Sequence, residues 1–89
     1  KTVGFSGDSS YCNAIDKIVE ASDVSILDMS LKENGDKSHM GFLDIKEICK
    51  KYPNKKIVAT HMRNSTREVA LDNPIKNLII PIENFEIKL

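Results

Sequence analysis

Four short apolar runs punctuate this chain: Val3-Gly4-Phe5, then residues 24–27, 57–60 and 78–80, separated by segments that hold a helix or a long connection. That rhythm constrains the fold more than any other feature. Each run is strand-sized, rich in Val and Ile, and bounded by Gly, Ser, Asp or Asn. Within the last three runs the apolar character is nearly continuous rather than alternating, as in parallel strands covered on both faces. The segments between them carry helical stripes. A helix over about 11–21 places Cys12, Ile15 and Val19 opposite Asp16, Lys17 and Glu20. A second over about 41–52 places Phe42, Ile45, Ile48, Cys49 and Tyr52 opposite Asp44, Lys46, Glu47, Lys50 and Lys51. Pro53-Asn54 stops it. Ser65-Thr66-Arg67-Glu68 has the spacing of a capping box and opens a short third helix, which Asn73-Pro74 closes. After a turn near Glu83-Asn84, Phe85, Ile87 and Leu89 alternate with Glu86 and Lys88, the period of an antiparallel strand with one solvated face.

The expected class is therefore α/β: a mixed, mostly parallel sheet with right-handed crossovers, helices on one face and a C-terminal antiparallel hairpin. Three helices cover one face of such a sheet. The other needs a partner, which a second copy of the chain would supply as a homodimer. With 89 residues there is room for one unit. Lys+Arg 13 balances Asp+Glu 13, so a freestanding nucleic-acid binder with a basic surface is excluded. No stretch approaches the roughly 20 apolar residues that span a bilayer. Cys12 and Cys49 both fall on helical stripes, which makes each a buried thiol rather than a disulfide or metal ligand, and such usage suits a reducing cytoplasm. Lys1-Thr2-Val3 reads as strand from the outset, without initiator Met or signal peptide, and the expectation is that a longer protein continues upstream.

In open α/β sheets ligands bind beyond the carboxyl ends of the strands. The first three strands end at Asp8, Asp28 and His61, and the loop before the second helix adds His39. Both histidines thus map to the edge that holds two carboxylates. Asp with neutral His suits zinc, iron or manganese. Each residue also has a plain structural use. Asp8 can cap the first helix, Asp28 can anchor a turn, His39 can precede a helix, and His61 can bond backbone at a strand end.

The order of these motifs, Phe5-Ser6-Gly7-Asp8-Ser9, Val24-Ser25-Ile26-Leu27-Asp28, Ser38-His39-Met40 and Ile57-Val58-Ala59-Thr60-His61, resembles the C-terminal half of the metallo-β-lactamase superfamily, and within it the ribonuclease Z-like hydrolases. The ending, Ile82 to Leu89, is similar to that family's closing hairpin, with Asn84 where Gly is common. The resemblance spans essentially the whole chain and implies half of an αββα sandwich. It implies that Asp8 is the aspartate bridging two metal ions and His61 the last histidine ligand. It implies that Asp28 and His39 are the acidic residue and histidine that move a proton to the leaving group. Those enzymes carry Glu in a His-Glu-Ala-Thr-like run, whereas Leu27-Asp28-Met29-Ser30 stands here, so metallohydrolase chemistry is implied more firmly than tRNA processing. Arg63 and Arg67, just past His61, are candidates to pair with substrate phosphate.

The family's His-x-His-x-Asp-His loop is not in this sequence, whose only histidines are His39 and His61. The implied partner is therefore the N-terminal half of the same domain. The implied cofactors are two zinc ions, with manganese or iron as alternatives. The substrate is a small molecule or phosphodiester, and nucleic acid stays among the partners of the longer protein. A competing class is a non-enzymatic α/β module, receiver-like, whose strand-end aspartates bind Mg²⁺ or accept phosphate. A further alternative is a superfamily member that has lost catalysis and survives as a binding subunit.

Overall fold

A computed structural model describes residues 2–7, 11–37 and 39–81. Among the described residues seven elements follow one another: β1 (Val3–Phe5), α1 (Asn13–Ala21), β2 (Val24–Asp28), α2 (Phe42–Lys51), β3 (Lys56–Thr60), α3 (Asn64–Asp72) and β4 (Leu78–Ile79). The four strands form one sheet in the order β1-β2-β3-β4, and every described pairing is parallel. The antiparallel hairpin expected around Glu83-Asn84, with Phe85, Ile87 and Leu89, lies outside the described residues.

Sequential order decides how the layers form. Each right-handed crossover steps one strand further in the same direction, which carries every helix to the same face. On that face Leu27, Ile57 and Ala59 pack with Ile15 and Val19 of α1, with Ile45, Ile48 and Cys49 of α2, and with Ala70 of α3. Gly4 of β1 faces α1 so closely that a Cβ there would collide with Ile18 and Ser22. The opposite face carries Val24 and the residues that share its side of the sheet, among them Val3, Phe5, Ile26, Val58 and Ile79. Its centre, Val24 and Val58, is buried, whereas Phe5 is 66% exposed. The order also speaks against a receiver-like module. Doubly wound folds of that kind place β2 outside β1, and here β1 is the edge of the described sheet.

Two expectations are corrected. Cys12 is exposed, because α1 begins at Asn13 and Cys12 precedes it in extended conformation, ahead of the buried stripe of Ile15 and Val19. Cys49 is buried as expected, and burial pushes its thiol up to about 12. The Ser65 capping box does not form. Helix α3 begins at Asn64 with Arg63 at the N-cap and no side-chain cap, so Ser65 already lies inside the first turn. The Thr66 hydroxyl is engaged elsewhere.

Candidate active site

Asp28 is the last residue of β2 and is 0% exposed. A carboxylate held in such a place requires donors on its oxygens, and two residues of the following loop supply them. The Ser30 hydroxyl donates to Asp28 Oδ1 at 2.5 Å, and His39 Nδ1 donates to Oδ2 at 2.7 Å. Ser30 Oγ also stands 3.3 Å from His39 Nδ1. With Nδ1–H given to the carboxylate, the basic lone pair of the neutral ring is at Nε2. The His39 side chain is 32% exposed, so the pair has a buried end and a solvent-facing end.

His39 reaches Asp28 because the long connection between β2 and α2 is folded back on itself. Leu31 and Gly41 form an isolated parallel bridge, with Phe42 N–H donating to Leu31 O at 2.8 Å. Asp36 Oδ1 accepts from His39 N–H at 2.9 Å, and Asp36 N–H donates to His39 O at 2.9 Å. At the end of this loop Asp44 Oδ2 accepts from both Gly35 N–H and Gly41 N–H at 2.9 Å, satisfying an otherwise orphaned donor at the start of α2. Gly41 is required for a steric reason, since a Cβ there would collide with the Glu33 carbonyl.

His61 follows the last residue of β3, Thr60, which is in register with Asp28, so both stand at one sheet edge. Its φ is 59°, a left-handed backbone that non-glycine residues adopt uncommonly and often at functional positions. Asp8 lies outside the described residues. The loop leading to it is nonetheless tied to the site, because Ser6 Oγ accepts from Asp28 N–H at 3.0 Å and donates to Gly7 O at 2.8 Å. Among the described residues no three His, Cys, Asp or Glu gather around a point that could hold a metal ion. His61 and Asp8 are donors of the right chemistry, but two donors are too few for a four-coordinate site.

The two arginines part company. Arg63 is exposed on the wall of a cleft of about 350 Å³, with Ser30, Lys32, Asn34 and Ser65 among its neighbours around the opening. Arg67 is half-buried, and its Nη2 donates to Pro81 O at 2.5 Å, so it serves the chain's own backbone. Sequence reasoning named Ser30 and Thr66 without giving either a part in the site. The available signal was the i, i+2 spacing of Asp28 and Ser30, which puts a hydroxyl within reach of a strand-end carboxylate.

No family model matches the chain, and no curated protein matches it. Among solved structures it is similar to one described as a new diphosphatase from the PhnP family. The TM-score is 0.77 at 14% identity, over 99% of this chain and 35% of that one. The chain therefore spans about a third of that protein's length, 35%. At this identity the likeness is one of fold: four parallel strands and three helices arranged as in part of that larger protein.

Proposed function

We propose that this chain contributes part of the active site of a binuclear metal-dependent hydrolase acting on a phosphodiester or another ester, with Asp28 and His39 as its proton-transfer pair. The observation that carries the reading is the buried Asp28 carboxylate hydrogen-bonded to His39 at 2.7 Å, at the strand edge where His61 also stands. The fold shared with the PhnP-family diphosphatase supports the same class.

The chain's own residues act as follows. Asp28 holds the imidazole in one tautomer and stabilises its protonated form. Protonated His39 donates from Nε2 to the departing oxygen, and the neutral ring then accepts a proton from water. Arg63, on the cleft wall, pairs with a non-bridging phosphate oxygen; Arg67 contributes only through those N–H groups that Pro81 does not engage. Asp8 and His61 would hold metal, which supplies an activated water and neutralises developing charge. The remaining ligands come from a complementary N-terminal half.

Titration of the 89-residue chain with zinc, followed by the ring resonances of its two histidines, tests this assignment. Weak binding that moves the His61 ring and disappears in His61→Ala is expected, with no hydrolysis of bis(p-nitrophenyl) phosphate above that of the metal alone. Tight binding of two ions with turnover would overturn the reading of a partial site. A His61 ring unmoved by zinc would remove His61 as a ligand.

A further inference from the structure

Ser30 joins three parts of the molecule. It is 6% exposed, and its hydroxyl donates to Asp28 while standing beside His39 Nδ1. Its carbonyl in turn accepts the hydroxyl of Thr66, itself buried in α3, at 2.7 Å. Each donor on a carboxylate restricts its turning about the Cβ–Cγ bond. Donors on both oxygens fix its plane, and the ring bonded to it follows. Thr66, the third residue of α3, reaches across to the loop after β2.

We propose that Ser30 is the positioning residue of the Asp28–His39 pair and that Thr66 is its anchor, so that α3, which starts just beyond His61, sets the orientation of the His39 ring. This rests on reading Asp28 and His39 as the proton-transfer pair. It adds that the orientation of the pair is controlled from the element that follows the third strand. Ser30 also lines the cleft that Arg63 borders, so the residue that orients the pair stands beside the place where substrate would lie.

Two-bond ¹H–¹⁵N spectra of the histidine rings test this in the 89-residue chain without metal or substrate, at alkaline pH where imidazole is neutral. In the unaltered protein His39 is expected to show a single Nδ1–H tautomer. Ser30→Ala and Thr66→Val, which keeps the shape of the side chain but not its hydroxyl, are each expected to lose that pattern, the two ring nitrogens moving toward an averaged position. Ser30→Thr should restore it, and the His61 ring should stay unchanged throughout. The proposal is overturned if folded Ser30→Ala retains the His39 pattern, or if Ser30→Thr fails to restore it. Should Ser30→Ala not fold, a folded Thr66→Val with an intact pattern overturns it equally. An intact ring pattern in a protein that proves not to belong to a hydrolase would defeat the functional reading and leave this inference standing.

Discussion

The positive φ of His61 and the buried hydroxyl of Ser25 are residue-scale features with opposite meanings. A side chain in the left-handed region costs about 1–2 kcal/mol relative to Gly. His61→Gly is therefore expected to relieve about 1 kcal/mol of backbone strain, so that a denaturant titration shows no loss of stability, while the side chain proposed to hold metal is removed. Ser25 Oγ is buried with no hydrogen-bond partner among the described residues, on the helix-covered face of β2. Ser25→Ala is expected to stabilise the protein by about 1 kcal/mol, because an unsatisfied hydroxyl is removed and a Cβ that already fits is kept. The two thiols differ in the same local way. Burial raises the Cys49 thiol to about 12, and Cys12 is exposed. Mild alkylation of the native chain should add one group, at Cys12, and only unfolding should expose the second site to reagent, as read by mass spectrometry.

Between elements, α1 and α2 are joined by a polar-aromatic cluster. Asp16 Oδ1 accepts from Tyr11 OH at 2.8 Å and from Tyr52 OH at 3.2 Å, and Lys51 Nζ reaches both Asp16 oxygens at 3.2 Å. Lys51 also stands 5.7 and 5.8 Å from the two tyrosine ring centres. Partial burial works to raise the Asp16 carboxyl, but the bonds from Tyr11 and Lys51 outweigh it and hold it below the usual 3.8. A carboxyl depressed on folding adds stability above its unfolded pKa, and that stability is lost as pH falls through the folded value. Asp16→Asn is accordingly expected to lower the melting temperature at neutral pH and to flatten its fall below about pH 4, the region of the unfolded carboxyl. At the start of α2, Gly41→Ala is expected to cost roughly 1–3 kcal/mol by overpacking against the Glu33 carbonyl. It should also shift the His39 resonances, since the Leu31–Gly41 bridge closes the loop that carries that ring.

For the whole molecule, the core beneath the sheet is one contiguous cluster to which all three helices contribute. Leu27→Ala, next to the last residue of β2 and 0% exposed, is expected to cost about 2–5 kcal/mol in urea unfolding, the range for emptying a packed site. Legible in the chain alone were the alternation of strands and helices, the buried stripe of α2, and the gathering of Asp28, His39 and His61 at one edge. Those follow from periodicity and from the rule that parallel strands end on a common side, which are local or topological matters. The start of α3 was misread because its capping-box spacing is satisfied on paper, yet the Thr66 hydroxyl finds a better partner in Ser30 across the fold. Cys12 falls outside α1 because the helix starts two residues later than its stripe suggests, and periodicity fixes boundaries poorly. Folding in three dimensions was needed to set β1 at the described edge, to close His39 on Asp28, and to share Ser30 between them. The physical reason is that each depends on how a thirteen-residue connection, residues 29–41, folds back through a bridge and two carboxylate contacts, and no periodicity in the chain encodes that closure.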